Sequence, residues 1–201
     1  TAVRAHIGLD RVVFDEAART VLFLDPEIRL DLGGIAKGYA VERAVAIALA
    51  HGIRAGIINL GGNIACLPDP PPGRDHYRIG VRHPRKTGEF CGTVNLPGGY
   101  AMATSGDYEK YVVIAGRRFT HIMDPATGRP VEKMAAVTVA TPSATASDAL
   151  STAIFVGGTP LAQRAVAAIS GTRVLLITFA ADDPEAMELQ RFGPGWEDCR
   201  L

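Results

Sequence analysis

An acid, a glycine pair and a lysine stand together in Asp31-Leu32-Gly33-Gly34-Ile35-Ala36-Lys37-Gly38, directly ahead of a strongly periodic run. In that run Ala40, Val41, Ala44, Val45, Ala48 and Leu49 recur at helical spacing. This predicts a helix from Lys37 to His51, with Gly52 as its C-terminal cap. Upstream, the apolar runs VVF and TVLFL between Val12 and Leu32 predict a hairpin leading into the glycine turn. Downstream, Ile53 to Leu60 predicts a buried strand, closed by Gly61-Gly62-Asn63. Strands and helix therefore alternate around two glycine turns, which excludes an all-helical or all-β chain.

The rest of the chain continues this pattern. Pro68 to Gly73 is too rich in proline for a helix or a central strand and predicts a loop. Tyr77 to Arg82, Gly92 to Leu96 and Tyr111 to Ile122 predict strands of an antiparallel meander, the last broken by a turn at Ala115-Gly116. Val137 to Ala140 predicts a strand, Asp148 to Val156 and Leu161 to Ser170 helices, and Arg173 to Phe179 a final strand before an irregular tail after Ala180. The expectation is an α+β fold, one domain over residues 1–201, with a mixed or antiparallel sheet and packed helices.

Composition removes several functional classes. Lysine plus arginine and aspartate plus glutamate number 21 each, so no global field draws nucleic acid, and an anion must be held by a local site. Cys66, Cys91 and Cys199 are an odd set without a CxxC, so neither a disulfide framework nor a zinc site follows. No apolar run approaches the ~20 residues of a membrane span. The chain opens on Thr1 and not on methionine, which suggests a processed, trimmed or partial sequence.

Three clusters could carry chemistry. A tight glycine turn exposes backbone groups, and a helix start with a lysine favours phosphate, so Asp31 to Gly38 reads as a phosphate site or as an ordinary strand-to-helix turn. Asp148 and Thr152, four apart, put a carboxylate and a hydroxyl on one helix face. These hard oxygen donors suit a magnesium ion that also takes phosphate and water, or Asp148 is a helix cap. Ala103-Thr104-Ser105-Gly106-Asp107-Tyr108 is followed by His121-Ile122-Met123-Asp124-Pro125-Ala126-Thr127-Gly128. There the Asp124-Pro125 turn displays His121 at a strand end, as a proton acceptor or as a structural histidine.

Four segments in this order, DLGGIAKGYAVERA, INLGGN, ATSGDYEKY with HIMDPATGRPV, and SDALSTAIFVGG, resemble the ApbE family of FAD:protein FMN transferases. They run from Asp31 to Gly158, about two thirds of the chain. The resemblance implies cleavage of the FAD pyrophosphate and attachment of FMN to a threonine or serine hydroxyl of a partner protein, with AMP released. It implies that Asp31 and Lys37 contact FAD. It also implies a magnesium ion bound by the Gly34 carbonyl, Asp148 and Thr152.

On the same footing His121 is the base or phosphate-orienting group, and Ile122 lies against the flavin. Gly61, Gly62, Ser105, Gly106 and Asp107 form loops around the nucleotide. Family members carry a substantial N-terminal region with contacts to adenine, and only Thr1 to Leu30 precede the first motif here, so much of that region is expected to be lacking. The family acts at the cell envelope, which implies a periplasmic location, with membrane contact only through a lipoprotein anchor outside this sequence. Two other readings compete: an FAD pyrophosphatase with water as acceptor, and a flavin-binding module without turnover.

Overall fold

Met134–Thr141 is buried along its whole length and forms the centre of the protein. In the computed structural model, which describes residues 6–180 and 186–201, this strand (β12) belongs to a six-stranded sheet. Residues 1–5, with the Thr1 that opens the sequence, and 181–185, where the expected irregular tail starts, lie outside the described residues.

In chain order the elements before it are β1 (Val12–Asp15), β2 (Thr20–Phe23), α1 (Ala36–Ala50), β3 (Ile57–Leu60), β4 (Asn63–Cys66) and β5 (Tyr77–Arg82). Then come β6 (Phe90–Leu96), β7 (Ala101–Gly106), β8 (Tyr111–Ile114), β9 (Arg117–Thr120), β10 (Met123–Asp124) and β11 (Arg129–Pro130). After β12 follow α2 (Ala144–Ala168), β13 (Arg173–Phe179) and β14 (Met187–Phe192). The sheet order is β14-β13-β12-β7-β4-β3, and each pairing in it is antiparallel.

Period-two alternation gives the sheet two different faces. Val137, Val139, Val174 and Leu176 pack with Ile154, Phe155 and Ala162 of α2. Ala136, Leu175 and Ile177 pack on the other side with Tyr77, Ile79, Val94 and Leu96 of the β5–β6 hairpin and with Trp196. The result is a helix layer, a sheet and a hairpin layer, each apolar surface covered by the next.

The α+β class and the α1 helix agree with the sequence reading, and several details differ. There is no meander: β5 and β6 pair only with each other, β7 returns to the main sheet between β12 and β4, and β8–β9 is a separate hairpin. β3 begins at Ile57, not at Ile53, and is an edge strand with Ile57 and Leu60 exposed, because an apolar run does not tell an edge from a centre. β4 and β7 were not predicted, since their small and polar residues give little strand signal. The tail is not irregular throughout, because β14 pairs with β13 from Val174↔Phe192 to Phe179↔Met187.

The two helices expected between Asp148 and Ser170 are the two halves of α2, separated at the non-helical Gly158 (φ 61°, ψ −155°) ahead of Pro160. The first of them starts earlier, at Ala144, and Ser143 caps it, its Oγ accepting from the Ala146 N–H at 3.1 Å. Gly38, in the first turn of α1, packs so closely on α2 that a Cβ there would overlap the Ala144 carbonyl oxygen and stand 2.6 Å from the Asp148 Cβ. No side chain fits between the helices at this point.

Candidate active site

The glycine turn ahead of α1 is fixed by its own acid, since Asp31 Oδ1 accepts the Gly33 N–H at 2.6 Å. α1 has no side-chain cap from its N-cap residue. Instead the buried carboxylate of Asp148, reaching across from α2, accepts the Gly38 N–H at 2.8 Å through Oδ2. A carboxylate at a helix start is electrostatically favoured. Its other oxygen lies 3.7 Å from Lys37 Nζ, which is also 3.4 Å from the Gly33 carbonyl oxygen. Asp148 is thus not a cap on its own helix, where Ser143 has that place.

Thr152 sits one helical turn beyond Asp148. Its Oγ1 is 3.0 Å from Ser105 Oγ, which is 2.8 Å from Ser151 Oγ. A Cβ on Gly34 would be 3.4 Å from Thr152 Oγ1, so the glycine turn rests on this hydroxyl. Ser105 and Gly106 lie at the end of β7 and not in a loop, with Gly106 opposite Ala136 in the sheet. The β3–β4 connection is the two-residue turn Gly61-Gly62, with φ of 57° and 92°. A turn of that hand favours glycine at both positions, and the Asn59 side chain accepts the Gly62 N–H at 2.9 Å.

His121 follows β9 and extends the β8–β9 hairpin by one pair. Its backbone N–H donates to the Lys110 carbonyl at 3.1 Å, and its Nδ1 lies 2.8 Å from the same oxygen. A carbonyl can only accept, so Nδ1 carries the hydrogen and Nε2 of the neutral ring is the acceptor. Ile122 is buried beside it, its N–H bonded to Thr120 Oγ1 at 3.3 Å.

These elements enclose a cleft of about 730 Å³. Of the residues singled out in the sequence, Asp31, Gly34, Lys37, Gly61, Gly62, Ser105, Gly106, His121, Ile122 and Thr152 line it. Asp148 stands behind Lys37 and Gly38 and does not line it. Asp107 points elsewhere: its buried carboxylate is held by both Arg85 guanidinium nitrogens, at 2.8 and 2.6 Å. It therefore ties the β5–β6 connection to the end of β7, and the next residue, Tyr108, lines the cleft in its place. Burial pushes the Tyr108 phenol up to about 12, so it remains a neutral donor.

Phe90, Arg82 and Met102 also line the cleft, and no motif in the sequence pointed to them. Asn59 and Tyr108 stood inside segments already singled out and could have been read from them.

Among the described residues no group of three or more His, Cys, Asp and Glu is placed to hold a metal. The donors of interest are of another kind: the Asp148 carboxylate and the Thr152 hydroxyl of α2, with the backbone carbonyl of Gly34. A hard cation that keeps water and phosphate oxygens in its shell needs no more from the protein, so the set fits magnesium.

The connection carrying Arg85 depends on a buried histidine. His83 Nδ1 accepts the N–H groups of Arg85 and Lys86, each at 3.1 Å, so protonation at Nδ1 would break both bonds. Burial first, and Lys86 after it, hold this ring below the ordinary histidine value of 6.5. The unfolded chain then takes up the proton first as pH falls, so stability is full above 6.5 and declines below it. Melting temperature measured from pH 7.5 to 5 should fall in the wild type and fall less steeply in His83→Gln.

Fold and cleft together define an α+β domain whose site is lined both by Lys37 in the first turn of α1 and by apolar Ile122, Met102 and Phe90. That make-up suits an aromatic ligand bearing phosphate. The chain belongs to the ApbE family, whose pattern matches residues 1–176. It is 40% identical over 159 residues to an FAD:protein FMN transferase of Rhodobacter capsulatus, covering 79% of this chain and 30% of that protein. An enzyme of the same name from Vibrio cholerae is 34% identical over 194 residues, covering 96% of this chain and 57% of the other. The crystal structure of the ApbE protein of Thermotoga maritima superposes with a TM-score of 0.82 at 35% identity, covering 94% of this chain and 59% of that one. The chain thus spans less than two thirds of the length of each of these relatives.

Proposed function

We propose that this chain carries the flavin-transfer centre of an FAD:protein FMN transferase. The observation that supports this most is the engaged Nδ1 of His121, which leaves Nε2 as a proton acceptor on a residue lining the same cleft as Lys37 and Thr152. In this reading a threonine or serine hydroxyl of the acceptor protein gives its proton to His121 Nε2. Its oxygen bonds to the FMN phosphorus while the bond from that phosphorus to the AMP oxygen breaks. AMP leaves, and the acceptor keeps FMN as a phosphoester.

Phosphoryl transfer depends mainly on positioning and charge neutralisation. Lys37, which lines the cleft, offers positive charge to the pyrophosphate. Asp31 holds the turn in shape, Tyr108 offers a donor, and Ile122 with Met102 and Phe90 gives the flavin ring an apolar wall. Asp148, Thr152 and the Gly34 carbonyl would hold magnesium, which would neutralise phosphate oxygens when bound. Proton acceptance by His121 contributes ~10²–10⁴-fold in rate. The proposed place of action is the periplasmic side of the cell envelope.

The test is incubation with FAD, magnesium and a candidate acceptor protein, followed by in-gel flavin fluorescence and chromatography of AMP and FMN. Transfer predicts a fluorescent acceptor band and one AMP per band equivalent. FMN and AMP without an acceptor would mark a pyrophosphatase, and bound but intact FAD a binding module.

A further inference from the structure

The C-terminal segment closes over the hairpin layer, and it does so cysteine against cysteine. Beyond β14, Arg191 holds the turn that follows, its Nε donating to the Trp196 carbonyl at 3.2 Å and its Nη2 to the Cys199 carbonyl at 2.7 Å. Trp196 and Cys199 are buried in the cluster formed with β5 and β6. The next residue, Arg200, donates its N–H to the Cys91 carbonyl of β6 at 2.6 Å.

The two backbones approach so closely that a Cβ on Gly92 would stand 2.7 Å from the Cys199 Cα and would overlap the Asp198 carbonyl oxygen. Cys91 and Cys199 are therefore neighbours in space although they lie far apart in the chain. The hydrogen bond from the residue after Cys199 to the carbonyl of Cys91 itself, with the Cys199 Cα against Gly92, sets the two cysteines on adjacent backbones, and a disulfide needs Cα atoms about 4.4–6.8 Å apart. Both side chains point into one buried cluster, and Cys66, also in that cluster, has its backbone paired elsewhere, with Ile57 and Tyr100.

We infer that Cys91 and Cys199 form a disulfide in an oxidising environment, fastening the C-terminal segment to β6 and so the sheet to the hairpin layer. The two thiols lose two protons and two electrons to a disulfide oxidant, which leaves as two thiols, and one S–S bond joins Cys91 to Cys199. The bond forms as the chain folds or opens locally. In the closed fold burial pushes the Cys91 thiol up to about 11, with the Cys199 thiol close by adding to the shift, and burial raises Cys199 likewise, so little thiolate is present. Cys66, pushed up to about 12 by burial alone, is the thiol left over. Because the bridge closes a long loop, it restricts the unfolded chain strongly.

The experiment equilibrates the purified chain in buffers of graded oxidised-to-reduced glutathione ratio, with enough urea to permit opening. Samples are acid-quenched, alkylated in denaturant and mapped by peptide mass spectrometry. The expected result is a Cys91–Cys199 linked peptide with alkylation confined to Cys66. The bridged form should melt about 5–10 °C above the reduced form. Cys199→Ser should show no oxidant-dependent shift in melting. Alkylation of all three cysteines at every ratio, a Cys66 linkage, or glutathione adducts in place of the internal bond would each overturn the inference.

Discussion

His121→Gln is expected to lower flavin transfer by on the order of 10²-fold or more while FAD affinity and the folded state stay close to wild type. The ring is exposed, and the backbone of His121 is already paired with Lys110 whatever its side chain. What the substitution removes from the fold is one hydrogen bond at the surface, Nδ1 to the Lys110 carbonyl, worth about 0.5–1.5 kcal/mol. What it removes from the chemistry is the only group in that position able to take a proton, since a glutamine amide cannot. Melting temperature, FAD titration and turnover measured on one preparation separate the two roles. A structural histidine would lower stability and affinity together, with turnover tracking the folded fraction. Near-normal turnover in a well-folded variant would remove His121 from the mechanism.

The proposed function gives Asp148 two roles, a tie between helices and a metal ligand, that two substitutions can divide. Asp148→Asn keeps an oxygen that can accept the Gly38 N–H but discards the charge, so the start of α1 stays tied to α2. If the carboxylate is a ligand, turnover at limiting magnesium should fall by at least ~10²-fold, because weaker binding forfeits the several kcal/mol of charge stabilisation that a bound metal supplies. Asp148→Ala should add a loss of about 1–3 kcal/mol in stability, the cost of leaving the buried Gly38 N–H without a partner. Magnesium titrations of turnover and thermal melts of both variants check this. If Asp148→Asn retains the wild-type magnesium dependence, the carboxylate is a tie between helices and not a ligand.

Local chemistry that announces itself by residue type was legible in the sequence. The Gly33-Gly34 turn, the α1 periodicity, the Ala115-Gly116 turn and the Asp124-Pro125 turn each follow from conformations that few residues permit, so short windows suffice to place them. Thr152 and Lys37 could be assigned to one face or one turn for the same reason. Asp107 could not be judged this way. Its neighbours in sequence, Ser105 and Gly106, line the cleft, but Arg85, distant in the chain, captures its carboxylate and turns it away.

The sequence by itself determined which segments bend, which helix begins beside a lysine and a glycine pair, and which polar groups are close along the chain. Only the tertiary structure decided that β7 and β4 lie inside the main sheet, that β3 is an edge, and that Asp148 serves the start of another helix. The physical reason is range. Turn and helix preferences arise between residues a few positions apart, whereas strand order, the approach of Gly38 to Ala144 and that of Cys199 to Gly92 arise from packing between segments far apart in the chain. Such contacts depend on the absence of a side chain at one point and the presence of an acceptor at another, and no short stretch of sequence records both.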